Sequence, residues 1–199
     1  GFSMAEQVLL DGIDLSFVTI TQVDSSTTLT RSALTTQFEG PFPAFGAING
    51  AFLPVIDALF SMDTSGESAN KYGVFCRYNS RAIIAANAGV QNAGETGAQA
   101  TNSSIIEMQD SDFSGAGTSG IVCDAGSVVN ADGVDVSGCG TYGARARAGG
   151  KINAFTADAS SAGTTGFIVQ NGGIINAGLA TGTLSQTANT ITANGIIFQ

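Results

Sequence analysis

Hydrophobic and polar positions repeat along residues 73–199 with a step of 23 or 24 residues. Each copy opens on a glycine, and the first and third positions after it are apolar and mostly small. Because side chains alternate between the two faces of a strand, this spacing predicts a strand whose inward face holds both positions. The inward residues are Val74, Ala98, Ile121, Ala144 and Phe167, followed two residues later by Cys76, Ala100, Cys123, Ala146 and Val169.

A second apolar column follows in the same copies. It holds Ile106, Val129, Ile152 and Ile175, and a Ser/Gly-rich segment then leads to the next copy. A fixed period of this length indicates one small unit stacked on copies of itself. The prediction is an all-β fold, a right-handed parallel β-helix of about five to six coils, each of about 23 residues. Leucine-rich repeats have a similar period, but their leucine spacing is missing here.

Residues 5–70 do not share the period and are predicted to form a separate N-terminal segment. Partial alternation at 13–20 and 27–34 predicts two short strands. Pro54 before an apolar face predicts a short helix near 54–60. The predicted organisation is a cloning remnant at 1–4, the non-repeat segment at 5–70 and the repeats at 71–199.

Composition and charge exclude several classes of protein. The net charge is −9 and the basic residues are scattered, so nucleic acid is not an expected partner. No apolar run is long enough to span a membrane, and the start has no secretion-signal pattern. Three cysteines cannot all pair, and Cys76 and Cys123 fall two repeats apart in one column. We expect them to be free, buried thiols of a protein made in a reducing cytoplasm.

Asparagines at one position of the repeat predict a structural ladder. Asn130, Asn153 and Asn176 follow each other at intervals of 23 residues. Stacked strands would bring their amide groups into hydrogen-bonding reach of one another. We interpret this column as structural.

Acidic residues form the candidate catalytic group. Asp112, Asp135 and Asp158 share one column, and stacked carboxylates could act as the acid and base on either side of a glycosidic bond. Alternatively, each aspartate caps a turn by accepting a backbone N–H, since a serine follows two residues later. The candidates for catalysis are Glu107, Asp110, Asp112 and Asp135, with Glu95 just before them.

Basic residues give the candidate binding group. Arg145, Arg147 and Lys151 lie within one repeat and could bind acidic sugars, or they could form an ordinary solvated face. No metal-ligand spacing, phosphate loop or nucleophile motif is present. We therefore expect no metal and no cofactor.

The position between the two inward columns predicts the oligomeric state. Phe75, Val122 and Ile168 occupy it in alternate copies. Side chains there should point outward and would leave an apolar stripe exposed on a monomer. Packing three such stripes about an axis would hide them, which predicts a homotrimer.

The chain resembles the C-terminal part of a bacteriophage tailspike or tail fibre. The likeness rests on the glycine-and-asparagine coils, on Ser16-Phe-Val-Thr-Ile20 and Pro43-Ala-Phe-Gly46, and on the closing Thr190-Ile-Thr-Ala-Asn-Gly-Ile-Ile-Phe198. The resemblance implies a homotrimer carried on the virion tail and made in the host bacterial cytoplasm. It also implies recognition of bacterial surface polysaccharide, either capsule or lipopolysaccharide O-antigen.

Three functions are compatible with these patterns. The first is a trimeric β-helix module that stabilises a tailspike and contacts host polysaccharide. The second is a glycan-cleaving domain, a hydrolase or a lyase, that uses the acidic group. The third is a bacterial surface adhesin of similar solenoid design. The resemblance implies active carboxylates on a long central helix or between subunits, and a chain of only five to six coils departs from that pattern, so the first function is preferred.

Overall fold

The computed structural model describes residues 2–4, 6–22, 27–181 and 195–198. These residues form short β-strands and one turn of 3-10 helix at Arg31–Ala33. In this part of the chain there is no α-helix, and no helix could cross a membrane. In chain order the strands are β1 Phe2–Met4, β2 Val8–Asp11, β3 Thr19–Thr21, β4 Thr27–Leu29, β5 Phe42–Ile48, β6 Val55–Asp57, β7 Leu59–Met62, β8 Lys71–Arg77, β9 Arg81–Ile83, β10 Gly89–Gln91, β11 Thr96–Thr101, β12 Ile105–Glu107, β13 Ser119–Cys123, β14 Val128–Asn130, β15 Tyr142–Arg147, β16 Lys151–Asn153, β17 Thr165–Gln170, β18 Ile174–Asn176 and β19 Ile196–Phe198.

The strands pair in parallel and form four sheets. Sheet A has the order β1-β4-β7-β10, and sheet D pairs β3 with β6. Sheet B has the order β2-β5-β8-β11-β13-β15-β17, and sheet C the order β9-β12-β14-β16-β18-β19. From β8 the chain passes through sheets B, C and A in turn, and sheet A ends at β10. In later passages single parallel bridges at Asp112, Asp135 and Asp158 follow sheet C in place of a sheet A strand. We call one such passage a coil. The fold is therefore all-β with parallel sheets, an arrangement compatible with the predicted parallel β-helix.

The predicted inward columns form the core. Ala98 lies between Val74 and Ile121 in the register of sheet B, and all three side chains are fully buried. The second column, at the centre of the short strands of sheet C, is equally buried from Ile106 to Ile175. Burying apolar area in this way is the main favourable term in folding. The period-2 interpretation of these strands is confirmed.

The glycines that open each copy are required by the close approach of neighbouring coils. A Cβ atom added at Gly73 would lie 2.5 Å from the carbonyl oxygen of Gly97 and 2.8 Å from Cβ of Val90. The next coils repeat this crowding, and at Gly120 the added atom would lie 2.6 Å from Cβ of Val136. Real Cβ atoms do not approach other heavy atoms so closely, so only glycine fits this column.

The predicted short helix near residues 54–60 is wrong. Residues 55–57 and 59–62 are strands β6 and β7, which pair with β3 and β4. Ile56, Ala58, Phe60 and Met62 are all buried, and the residues between them are more exposed. This is the alternation of a strand, and the neighbouring strands supply backbone partners that an isolated apolar face does not reveal.

The N-terminal segment contributes strands to the same sheets as the repeats. Within sheet B, β5 pairs with β2 on one side and with β8 on the other, so the sheet continues across residue 70. The strands predicted at 13–20 and 27–34 correspond to shorter strands, β3 and β4. Residues 2–4, predicted to be a cloning remnant, pair with β4.

The predicted exposed stripe is wrong. Phe75 is 3% exposed, and Val122 and Ile168 are each 6% exposed. They share the predicted column and lie outside the core cluster, but long neighbours cover them. Arg145 lies between Val122 and Ile168 in this column, and the stems of such side chains cover apolar surface. The Tyr72 ring packs edge-on against Phe75, with centroids 6.2 Å apart.

Large apolar side chains are instead exposed at the two ends of the stack. Near the first strands they are Ile13, Phe17 and Val18, and near the last strands they are Phe155, Leu179, Ile196 and Phe198. The residues of the second group lie on neighbouring segments of the last coils. Leu179 N–H donates to the Phe155 carbonyl, and Ala177 N–H donates to the Phe198 carbonyl. We call this second group the terminal apolar patch.

The three cysteines are free and buried, as predicted. Burial raises the pKa of Cys123 to about 12 and that of Cys139 to about 11. Burial raises the pKa of Cys76 further. These thiols stay protonated at neutral pH and act as small core side chains.

We expect Gly120→Ala to lower the free energy of unfolding by about 1–3 kcal/mol, because the added methyl group overpacks the space between adjacent coils. Urea denaturation monitored by circular dichroism measures the change. Gln109→Ala, at an exposed turn position, is the control and should change stability by less than about 0.5 kcal/mol. Equal stability of Gly120→Ala and the wild type would contradict the crowding explanation.

Candidate functional site

The asparagine column contains two side-chain hydrogen bonds, one of which involves a glutamate. Asn176 Nδ2 donates to Asn153 Oδ1 at 2.9 Å. Asn130 Nδ2 donates to Glu107 Oε2 at 2.7 Å, on the preceding strand of sheet C. The register of sheet C places Glu107, Asn130, Asn153 and Asn176 in one line. Glu107 thus occupies a ladder position and accepts a hydrogen bond there.

The aspartate column forms a row of turns beside sheet A. Asp112, Asp135 and Asp158 pair through single parallel bridges with one another. In each case Oδ1 accepts the backbone N–H of the serine two residues later, at 3.0, 2.8 and 2.8 Å respectively. Asp112 Oδ2 also accepts from Gln91 Nε2 at 2.6 Å. These contacts are those of turn-capping aspartates.

The remaining acidic candidates lie at different corners of the coil. Asp110 is exposed in the turn between β12 and Asp112, with a left-handed backbone at φ 52°. Glu95 lies at the corner between sheets A and B, where Asn70 N–H donates to its Oε2 at 2.6 Å. The structure therefore does not gather Glu95 and Asp110 into one carboxylate site. Among the described residues, no group of three His, Cys, Asp or Glu side chains could hold a metal ion.

The basic group divides between two sheets. Arg145 and Arg147 lie two residues apart on β15, on the outer face of sheet B, whereas Lys151 begins β16 in sheet C. Arg147 Nε donates to Asp124 Oδ2 at 2.6 Å, and Arg145 donates through Nε and a terminal nitrogen to Gln170 Oε1 at 3.0 and 2.7 Å. Both guanidinium groups are thus held in fixed positions on the sheet surface.

Arg147 lines an open groove on the outer face of sheet B, which we call the outer groove. Its volume is about 330 Å³. The long loop before β5 forms one wall, because Arg77 donates to the Glu39 carbonyl at 3.0 Å and to its carboxylate at 3.4 Å. The other lining residues include Asn70, Tyr72, Phe75, Gln99, Thr101 and Asp124.

Sequence reasoning missed Arg77 and Asp124, although the repeat contained a signal for both. The fourth position after each opening glycine forms its own outward column. Comparing copies at that position would have placed these charges in one row. The column reads Arg77, Thr101, Asp124, Arg147 and Gln170.

The outer groove combines two ion-paired arginines with hydrogen-bonding groups, and Arg145 lies beside it on β15. Burial, together with the like charge of Arg147, lowers the pKa of Arg145, but a guanidinium still remains charged at neutral pH. Burial, together with the Glu95 carboxylate, raises the pKa of Tyr72, so its hydroxyl remains a donor. Arg77 Nε is buried and has no protein partner among the described residues. The groove therefore presents guanidinium, hydroxyl and amide groups on one face of sheet B.

Comparison of the chain with protein-family models, with curated proteins and with solved structures finds no match. The interpretation of the outer groove therefore depends on its own residues.

We expect Asp135→Ala to lower the free energy of unfolding by about 1 kcal/mol, since the Ser137 N–H loses its acceptor. Asp135→Asn is the matched variant: it keeps an oxygen at the same place and removes one charge from the column, so it should retain most of the stability. Urea unfolding midpoints of the two variants make the comparison. An equal loss in both would contradict the turn-capping role.

Proposed function

We propose that the chain is a right-handed parallel β-helix module of a bacteriophage tailspike, which stabilises a homotrimer on the virion and contacts host surface polysaccharide. The observation that carries the glycan contact is the outer groove, with Arg77, Arg145 and Arg147 on one sheet face. The proposed helix extends beyond the five or six coils expected from the repeats, because β2 and β5 continue sheet B into the N-terminal segment.

The charges of the outer face favour an acidic glycan. Arg77 and Arg147 line the outer groove and pair with the carboxylates of Glu39 and Asp124. Arg145, beside the groove on β15, pairs only with the neutral Gln170 and so adds one uncompensated positive charge to this face. Guanidinium groups bind carboxylates through paired hydrogen bonds, and Gln99 and Thr101 add groups that can bind sugar hydroxyls. Capsule and O-antigen chains that contain uronic acids have this chemistry.

A binding role accounts for the acidic candidates better than a cleaving role. Glu107, Asp112 and Asp135 each accept hydrogen bonds from ladder or turn groups of the stack. None of the three lines the outer groove. We therefore propose contact with polysaccharide rather than its cleavage.

The terminal apolar patch supports the proposed trimer. Leu179 is 65% exposed and Phe198 is 55% exposed, and Phe155 and Ile196 lie in the same region of the last coils. An exposed cluster of this kind is expected at an interface between subunits. Three copies that meet through this patch would bury it and would also protect the end of the stack.

We expect the wild-type protein to have about three times the 20.0 kDa mass of one chain in solution. Leu179→Asp places a charge in the proposed interface and should shift the protein to monomers. Light scattering coupled to size exclusion measures the mass. Phe17→Asp is the control, because Phe17 is 81% exposed at the opposite end of the stack and should leave the trimer intact. A wild-type monomer, or a trimer that survives Leu179→Asp, would contradict the proposed interface.

We expect an oligogalacturonate to bind the wild-type protein and to bind Arg147→Gln at least tenfold more weakly. Loss of one charge-assisted contact of this kind corresponds to about 1.4 kcal/mol or more. Titration calorimetry at low and high salt measures the affinity, which should fall with salt because the contact is electrostatic. Arg81→Gln, an exposed arginine on sheet C, is the charge-matched control. Equal affinity of both variants would exclude the outer groove as the binding site.

A further inference from the structure

A second and larger groove lies at the corner where the chain passes from sheet A to sheet B. We call it the corner groove, and its volume is about 720 Å³. This is within the range of sites that hold organic ligands and is much larger than an ion requires. Its floor is made of small residues, and its walls carry polar side chains. The walls include Arg31, Thr64, Ser68, Asn92, Glu95 and Thr118, and the floor includes Ala69, Ala93, Gly94, Gly115 and Gly117.

The corner groove results from unequal corner lengths on successive coils. Residues 30–41 connect β4 to β5, residues 63–70 connect β7 to β8, and residues 92–95 connect β10 to β11. The corner at 92–95 is the shortest of the three, and the two longer corners before it project farther from the stack and form a wall beside it. Gly94 and Gly117 stack at the bottom of the step, where a Cβ atom on Gly94 would lie 2.5 Å from the Ser68 carbonyl oxygen. A side chain at Gly94 would clash with the Ser68 backbone, so the floor of the groove is formed by glycine.

Glu95 lines the corner groove, and its carboxylate is held by two residues that line the outer groove. Asn70 N–H donates to Oε2 at 2.6 Å, and the Tyr72 hydroxyl donates to Oε1 at 3.3 Å. A carboxylate has about four acceptor positions, so these two bonds orient Glu95 and leave further positions for a ligand. Its backbone is fixed as well, because Thr118 N–H donates to the Glu95 carbonyl at 2.8 Å.

Arg31 supplies a donor that lacks an acceptor within the described protein. One terminal nitrogen of its guanidinium donates to the Asn92 carbonyl at 3.0 Å, whereas the buried Nε has no partner. Buried donors in native proteins are almost always paired with protein, water or ligand. The unpaired Nε therefore leaves a donor for a water molecule or a ligand oxygen at this edge of the groove.

We propose that the corner groove is a separate binding site for a neutral oligosaccharide. Glu95 would accept hydrogen bonds from adjacent sugar hydroxyls, and Arg31 would donate to hydroxyl or ring oxygens. One cation and one anion line the corner groove, so its lining carries no net charge that would favour a charged chain over a neutral one. The walls also carry the hydroxyl and amide groups of Thr64, Thr118 and Asn92.

This proposal shares only its ligand class, a glycan, with the proposed function, since the two grooves have different lining residues. The probes are maltotriose, mannotriose and galactotriose, compared with trigalacturonate. Saturation-transfer NMR detects binding, and a titration followed by chemical-shift changes gives Kd. At least one neutral trisaccharide should bind, with an affinity that does not depend on salt.

Glu95→Gln should weaken binding of the neutral trisaccharide about tenfold, because the amide keeps the acceptor of Asn70 N–H but loses the charged acceptor for sugar hydroxyls. Thr118→Val, which removes a wall hydroxyl at nearly constant volume, should weaken it several-fold. Arg81→Gln is the control and should bind as the wild type does. Circular dichroism shows whether each variant is folded.

Three results would overturn the corner site: no binding of any neutral trisaccharide, stronger binding of trigalacturonate than of the neutral sugars to Arg147→Gln, or unchanged affinity of both Glu95→Gln and Thr118→Val. Arg147→Gln separates the two grooves. If the outer-groove proposal fails, Arg147→Gln leaves acidic-sugar binding unchanged, and the neutral-sugar result still decides the corner site.

Discussion

The structure depends on backbone hydrogen bonds between successive coils in one constant register. Along one corner, Thr118 N–H donates to the Glu95 carbonyl at 2.8 Å, Thr141 N–H to the Thr118 carbonyl at 2.9 Å, and Thr164 N–H to the Thr141 carbonyl at 3.0 Å. Parallel strands held in this way are separated by about 4.8 Å. An inward side chain must therefore fit between the equivalent side chains of the coils above and below it. Because this requirement is the same at every coil, similar residues recur at each step of the repeat.

The same constraint accounts for the polar columns. A carboxylate or amide that enters the stack meets the equivalent residue of the next coil, so it must find hydrogen-bond donors nearby or remain solvated. Asp135 satisfies this through the Ser137 backbone, and Asn176 through the Asn153 side chain. Residues that look like a catalytic array in the sequence are thereby engaged in holding turns and ladders. The side chains that are free to contact a ligand therefore lie on the outer faces and at the corners.

The outer faces vary because nothing above or below fixes their side chains so tightly. Sheet B can therefore carry Phe75, Gln99, Val122, Arg145 and Ile168 in one column, whereas its inward columns stay apolar. Corners vary in length for the same reason, and the long segments at 30–41 and 63–70 form the walls of both grooves. Buried Lys71 secures this region, since its ammonium group donates to the Leu34 carbonyl and lies 4.3 Å from the centre of the Phe42 ring.

The stacked part of the fold can be predicted from local sequence patterns. Period-2 alternation and glycine spacing identified the inward columns from Val74 to Val169, because the same steric requirement acts at every coil. The sequence also identified Asp112, Asp135 and Asp158 as one row, with turn capping as one of two explanations. The closing residues Thr190–Asn194 of the predicted repeat lie outside the described residues, so only Gly195–Phe198 of that copy can be compared.

The features outside the repeat, which are strands β6 and β7, the covered outer column and the two grooves, depend on tertiary contacts. Residues 55–62 look helical in isolation, but parallel neighbours supply strand partners and make them β6 and β7. Phe75 and Val122 look exposed by alternation alone, yet neighbouring side chains from other coils cover them. The grooves depend on which corners stand beside one another, and Arg77 meets Glu39 only through the fold. Local spacing determines which face a side chain occupies, whereas contacts between distant segments determine whether that face is open.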